Sequence, residues 1–257
     1  MAILKTKAIV LKSHKWSESS RIVTLLSGDF GKIRVIAKGA RRPKSGLERP
    51  LQPLTLSSII FYKKENRNLH ILSQADPINH FLDVKSNLKK LTYASALCEL
   101  SDRMTTYEQP DRALYETLID GLRKIEDMPD HQTEKLFWYF KLKIFKILGY
   151  SPSFSRCSRC GIHPRTPLLS FSPGLGGILC NGCSYEDPKA PSIHLGTVRF
   201  LGRLTKMGPE GLGNVEISEL VKGEIREVLT SFLKYHAGNH GRLRSLELLN
   251  TWPQEVR

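Results

Sequence analysis

Two cysteine pairs constrain this chain more than any other feature. Cys157-Ser158-Arg159-Cys160 and Cys180-Asn181-Gly182-Cys183 give C-x2-C, nineteen residues, C-x2-C. Two such knuckles bring four thiolates to one tetrahedral zinc ion, at about 2.3 Å each. Gly161 and Gly182 let backbone amides turn back toward sulfur, and Gly174-Leu175-Gly176-Gly177 bends the ribbon between the knuckles. Four thiolates leave no open coordination position, so the ion is structural rather than catalytic. Its binding contributes on the order of 10–16 kcal/mol to local folding. A redox pair would call for a thioredoxin-like βαβ pattern, which is missing. Five cysteines in this arrangement are no disulfide framework, and a reduced, cytoplasmic setting fits them. Cys98, alone on an apolar helical face, reads as a packed thiol. His163 beside the first knuckle reads as a bystander. His236 and His240, split by Gly238 and Asn239, read as a helix end.

The charge is concentrated at one end. Lys and Arg number 39 against 25 Asp and Glu, a formal net charge of +14. Residues 1–70 hold 15 basic side chains against four acidic ones (Glu18, Asp29, Glu48 and Glu65), a net of +11, and the remaining 24 and 21 net only +3. A module so one-sided repels itself unless a polyanion relieves it, which points to nucleic acid first and an anionic membrane surface second. No apolar run approaches the ~20 residues of a membrane helix, and Met1 to Leu11 alternates lysines with aliphatics, unlike a secretory signal. At 40% apolar residues the chain can bury a real core.

The first 75 residues read as short strands over 8–11, 21–26, 32–37, 56–62 and 69–72, with Ser27-Gly28-Asp29-Phe30-Gly31 as a hairpin turn. Five strands in so short a stretch suit a small closed barrel. On the third, alternation sends Ile33, Val35 and Ala37 to the core and Lys32, Arg34 and Lys38 outward or to its end. After Pro77 the period becomes helical. Leu88, Leu91, Ala94, Leu97 and Met104 form one stripe, and Leu114, Leu118, Leu122 and Ile125 a second behind Pro110-Asp111. A strongly apolar helix over 133–148 follows Asp130, and a last one runs from a Ser218 cap to Gly238. The predicted class is α+β multidomain: a barrel over 1–80, an α-helical domain from 81–150 plus 192–257, and a zinc-binding insertion over 151–191.

No phosphate-binding G-x-x-x-x-G-K-[ST], G-x-S-x-G elbow or H-E-x-x-H occurs. The basic module has four isolated acids and no D-x-D-like pair, so a two-metal nuclease is poorly supported. Asp102, Asp111, Glu116 and Asp120 read as a solvated helical face. The sequence favours binding over bond-making, and no enzyme is expected.

The order of motifs resembles the bacterial RecO family of recombination mediators. Ala8-Ile9-Val10-Leu11, Glu18-Ser19-Ser20-Arg21-Ile22-Val23, Gly31-Lys32, Ala37-Lys38-Gly39-Ala40-Arg41-Arg42-Pro43-Lys44-Ser45 and Leu51-Gln52-Pro53 carry the likeness. So do the four cysteines and Tyr235-His236-Ala237-Gly238 followed by Arg244-Ser245-Leu246. The resemblance implies an OB-fold barrel, a helical bundle and a zinc-binding insertion. It also implies binding of single- and double-stranded DNA, strand annealing, and help for RecA in replacing single-strand DNA-binding protein, together with RecR. Recognition of that protein's acidic, Phe-ended tail belongs to the same implication, as does a cytoplasmic place at the bacterial nucleoid. Some family members lack the four cysteines, so zinc is expected here from the chemistry of this chain.

OB-type sites join a cationic groove to stacking aromatics. The cations expected to contact DNA are Lys12, Lys15, Arg21, Lys32, Arg34, Lys38, Arg41, Arg42, Lys44 and Arg49, with residues 41–46 as a mobile basic loop. Trp16, Phe30 and Tyr62 can stack, though core or turn packing is the favoured reading of each. Lys141, Lys143 and Lys146 beside an apolar helix face are a weak pointer to the tail pocket. The competing readings are a zinc-ribbon nuclease and an RNA-binding protein, which a cleavage assay and a competition between ssDNA and structured RNA would distinguish.

Overall fold

The alternation of the first 80 residues closes on itself. The computed structural model describes residues 2–65, 67–212, 215–238 and 242–251. In it, β1 (Ala2–Lys15), β2 (Arg21–Ser27), β3 (Gly31–Ala37), β4 (Leu56–Lys63) and β5 (His70–Asn79) form a closed barrel in the order β1-β2-β3-β5-β4. β3 and β5 pair parallel and the other neighbours antiparallel, which is the OB-fold. β1 is much longer than its β-branched centre predicts. Its first half pairs with β4 and its second with β2, and a register shift between Val10 and Lys12 lets it serve both. The flanking lysines hid this length, because each sits on the outer, wetter side of the strand.

Pro77 lies inside β5 rather than after it. β3 pairs with β5 only at His70 and Ile71, so the Pro77 end has β4 as its neighbour and loses no ladder bond on its other side. Val10, Val23, Leu25, Ile33, Val35, Ala37, Ile59 and Phe61 fill the barrel, joined by Leu51 from the long connection.

Helices α1 (Leu82–Ser86), α2 (Leu88–Met104) and α3 (Arg112–Asp127) follow. Asn87 caps α2 by accepting from the Lys90 amide at 3.0 Å, and Asp111 caps α3 by accepting from Leu114 at 2.9 Å. Asp111 thus belongs to a helix start and not to a solvated face. Then come α4 (Thr133–Ile147), β6 (Leu168–Ser172), β7 (Gly177–Leu179), β8 (Ser192–His194), α5 (Leu195–Leu204), α6 (Glu219–Ala237) and α7 (Arg244–Thr251). His236 lies among the rings of Phe232 and Tyr150, centroids 4.4 and 4.7 Å away, near the end of α6; His240 falls outside the described residues.

Packing gathers the chain into two compact units, Met1–Thr133 with Arg244–Arg257, and Glu134–Leu243. In the first, α1, α2 and α3 join the barrel, and α7 returns to α2. The Glu99 carboxylate on α2 accepts from the Arg244 and Ser245 amides at 3.0 and 2.9 Å and from the Ser245 hydroxyl at 2.8 Å. Burial pushes the Glu99 carboxyl up, but the Ser245 and Arg244 donors and Arg103 more than offset it, and the group stays below its ordinary range. In the second unit, Phe232 of α6 meets Phe145 of α4 at 5.2 Å and Phe171 of β6 at 6.1 Å between centroids. Arg226 clasps Glu134 through two bonds of 2.7 and 3.0 Å. These divisions follow contacts, whereas the boundaries at 80, 150 and 191 follow composition and period. A stripe of apolar residues says that a helix buries a face, not against what.

Lys141 sits within α4 at 2% exposure, its ammonium 5.8 Å from the Phe137 and Phe145 ring centres. Burial pulls its pKa from 10.5 down to about 7. The unfolded chain holds that proton up to its ordinary pKa, so this group's contribution makes stability rise between about pH 7 and 10. Lys141→Met is expected to be more stable at pH 7 by on the order of a few kcal/mol and to have lost that rise, as measured by urea unfolding across the pH range.

Candidate nucleic-acid interface and metal centre

The outer face of β1-β2-β3 is not the free cationic surface that alternation suggests. Cross-strand register sets Lys12, Thr24 and Arg34 in one row and Leu26 and Lys32 in the next. Lys32 is 6% exposed. Its ammonium donates to the Asp102 carbonyl at 2.6 Å, lies 3.4 Å from the Asp102 carboxylate and sits 4.5 Å from the Tyr107 ring centre. Lys12 pairs with the same carboxylate from the other side. Burial lowers the Lys32 pKa, and Asp102 works against that shift. Arg34, half-buried, lies 5.0 Å from the Tyr107 ring centre. Asp102 is therefore no solvated acid: it is the counter-charge of the barrel wall. Ala94, Cys98 and Asp102 form one buried i,i+4 row on α2, and a carboxylate continuing an apolar row was the available signal.

The segment after α2 completes the cover. The Glu108 amide donates to the Lys32 carbonyl at 2.8 Å, and the Glu108 carboxylate lies 3.2 Å from buried His70 and 3.1 Å from Lys63. Burial is the larger influence on His70 and lowers its pKa despite Glu108. Gly31, at φ +64°, is required here, since a Cβ would overlap the Gln109 carbonyl.

The other predicted cations lie at the end of the barrel or beyond it. Lys15, Arg21 and Ala37 share a cross-strand row at the ends of β1, β2 and β3, with Lys38 next in sequence. Arg21 is half-buried and donates to the Ser13 hydroxyl at 3.4 Å. Lys15, Lys38, Arg41, Arg42, Lys44 and Arg49 are exposed. The Arg41 guanidinium donates to the Ser17 carbonyl at 2.7 Å and its amide to the Ser19 carbonyl at 3.0 Å, which ties the connection to the β1–β2 turn. Residues 39–47 form consecutive turns: Arg42 bonds back to Gly39 at 2.9 Å, Ser45 to Arg42 at 3.0 Å, and the Ser45 hydroxyl to Ala40 at 3.1 Å. The basic loop is thus a folded rim rather than a loose arm. Of the three aromatics, Phe30 packs edge-on against Phe61 at 5.6 Å and Tyr62 is half-buried, whereas Trp16 is 64% exposed.

The four cysteines meet as their spacing requires. Cys157 and Cys160 flank a turn in which Gly161 (φ +73°) returns its amide to the Cys157 carbonyl at 2.9 Å. Cys180 follows β7 directly, and Cys183 lies one short turn on. All four Sγ atoms lie within 4.8 Å of one another, with 3.7 Å between Cys160 and Cys180. A tetrahedron of metal–sulfur bonds near 2.3 Å has edges of about 3.8 Å, so these residues can hold a metal ion. The ionisation pattern agrees. Burial pushes the Cys157 thiol up, but the amides of Cys160, Cys180 and Arg159 aim at its sulfur and bring it down to about 6. Cys180 and Cys183 are raised, by burial first; Cys157 and Cys160 add to both shifts, while Cys183 works against that of Cys180. Four thiolates this close can form together only around a cation. His163 instead meets the Ser155 carbonyl at 2.7 Å and takes no part in the cluster. Cys98 is buried, which pushes its thiol to about 12. Lys141 is buried and cannot edge a surface pocket for a partner's tail; Lys146 is exposed. No helix among the described residues is long and apolar enough to cross a membrane.

Comparison with known proteins agrees with this geometry. Residues 1–81 match the family described as Recombination protein O N terminal, and residues 85–247 that described as Recombination protein O C terminal. The chain is 30% identical over 236 residues to the DNA repair protein RecO of Caldanaerobacter subterraneus subsp. tengcongensis, covering 92% of this chain and 94% of the relative. It is 30% identical over 258 residues to that of Heliobacterium modesticaldum (98% and 90%), and 31% over 251 residues to that of Syntrophus aciditrophicus (96% and 95%). The chain belongs to the RecO family, which is one of DNA repair and recombination proteins and not of enzymes.

The Asp102 clasp makes a sharp thermodynamic prediction. Asp102→Ala leaves the Lys32 ammonium buried without its partner and is expected to cost about 3–5 kcal/mol in urea unfolding. Lys32→Met combined with Asp102→Leu, which removes both charges and keeps the volume, is expected to lie within about 1–2 kcal/mol of the parent.

Proposed function

We propose that this chain is a DNA-binding recombination mediator: it binds single- and double-stranded DNA, anneals complementary strands and, with RecR, helps load RecA onto DNA covered by single-strand DNA-binding protein. The observation that carries the reading is the set of exposed cations Lys15, Lys38, Arg42, Lys44 and Arg49, which form no ion pair among the described residues. Lys12 and Lys32 share the Asp102 carboxylate, which offsets one of their two charges, and Arg41 holds the rim together. The surface left over carries these five cations against exposed Glu18 and Glu48, a cationic excess suited to following a sugar-phosphate chain. Annealing follows from that chemistry. An edge that neutralises two backbones at once lowers the repulsion between strands and leaves specificity to base pairing. The site of action is the DNA of the cytoplasm, at the nucleoid.

The cysteine cluster, in this reading, holds one structural zinc ion on Cys157, Cys160, Cys180 and Cys183. The ion supplies four bonds that replace a larger hydrophobic core in the segment around it. The single-strand DNA-binding protein tail and RecR are the partners the family likeness brings, and no side chain described above is assigned to either.

Five phosphate contacts on a single strand give a slope of log K against log salt of about −3.5. Replacing Lys38, Arg42 and Lys44 by Glu is expected to abolish annealing of labelled strands and to reduce the slope's magnitude by about 2. Annealing that survives the triple change, with and without the cognate single-strand DNA-binding protein, would discard the reading. One zinc per chain is expected by elemental analysis. Cys157→Ser is expected to lose the metal and lower the melting temperature while leaving the salt slope in place.

A further inference from the structure

We infer that the groove between the β1–β2 turn and the start of the basic connection is a seat for one unpaired nucleobase, stacked on Trp16 with its phosphates on Lys38 and Arg42. The inference rests on the DNA-binding reading above and narrows it to a single-stranded ligand at a named place.

The groove has a volume of about 380 Å³, and Trp16, Ser19, Ile36, Lys38, Gly39 and Arg42 are among the residues lining it. That lies within the usual range of small-molecule sites, about 300–1,000 Å³. Its walls are held apart by the backbone rather than by the ligand. Trp16 donates its amide to the Ser20 carbonyl at 3.0 Å, the Ser20 amide donates to the Ser17 hydroxyl at 3.2 Å, and Arg41 bonds across to Ser17 and Ser19. Arg41 is accordingly a positioning residue: its guanidinium fixes the far wall and leaves Arg42 and Lys38 to meet phosphate.

Trp16 is the informative side chain. At 64% exposure an indole gives the fold little, and it belongs to no described core cluster. A flat π surface beside two exposed cations matches a flat base joined to an anionic backbone, and stacking of that kind tolerates every base. Duplex DNA cannot satisfy the site, because its base faces are already stacked on each other. Trp16 therefore separates single strands from duplexes, while the cations bind both.

The test uses the full chain, a labelled dT oligonucleotide of twenty nucleotides and a twenty-base-pair duplex, followed by anisotropy over a salt series. Trp16→Ala is expected to weaken the single strand roughly 5- to 100-fold, to leave the duplex within about twofold, and to keep the salt slope, since stacking releases no counterions. Trp16→Phe, which keeps a ring, is expected to recover most of the loss. Oligonucleotide should quench an emission component that is present in the parent and missing in Trp16→Phe. Equal loss on both ligands, unchanged binding of the single strand, or no quenching of that component would overturn the inference. Unchanged binding would hand Trp16 to a protein partner instead. Failure of the parent protein to bind either DNA would overturn the DNA-binding reading itself, an outcome distinct from the others.

Discussion

One carboxylate, Asp102 on α2, holds two lysines from the barrel wall, Lys12 on β1 and Lys32 on β3. The arrangement is costly to dismantle from one side, because a buried ammonium left without its counter-charge loses far more than the pair gains over an apolar replacement. It is also directional. Lys32 reaches both the carboxylate and the carbonyl of the same residue, so the end of α2 can meet the barrel in one place only. The segment beyond is fixed in turn, with Glu108 on His70 and Lys63 and the Gln109 carbonyl against Gly31. Barrel and first helices thereby become one unit.

In the DNA-binding reading proposed above, that clasp also limits where a polyanion can bind. Small barrels of this topology commonly offer the β2–β3 face to nucleic acid. Here much of that face is occupied by Asp102 and Tyr107, an internal anion and an internal ring standing where a ligand's phosphate and base would otherwise be. Of the cations proposed for DNA, those free of such partners lie at the strand ends and along the connection to β4, while Lys5 and Lys7 on β1 and Arg67 before β5 are exposed as well. The Arg41 bonds hold the β1–β2 turn against the start of the connection, and the groove there is lined by the open Trp16 indole, Lys38 and Arg42.

The cysteine cluster answers a different need. Between α4 and α5 the chain makes three short strands, β6, β7 and β8, and one short 3-10 helix over Asn181–Glu186. Four sulfurs this close can hold a metal ion, and Phe171, on Phe154 at 5.8 Å and Phe232 at 6.1 Å, ties the segment to α6 within its unit.

Much of this was legible in the residues because the signals are local. A thiolate pair at C-x2-C spacing meets its own turn, strand alternation in Ile33, Val35 and Ala37 names a core side, and Asp111 or Ser218 before an apolar stripe starts a helix. Family membership was legible for the same reason, since it resides in short ordered motifs. What the sequence could not decide was which charges would be spent inside. Lys32 and Lys38 stand in the same basic run, yet one is buried against a carboxylate seventy positions away and the other is open to solvent. Nor could it tell that Asp102 is a buried counter-ion while Glu116 faces water, that Trp16 is open while Phe30 packs on the core, or that the first three helices pack with the barrel. Composition and periodicity fix what each segment prefers to bury or expose. Which partner it meets there depends on contacts between distant parts of the chain, and those exist only once the fold has closed.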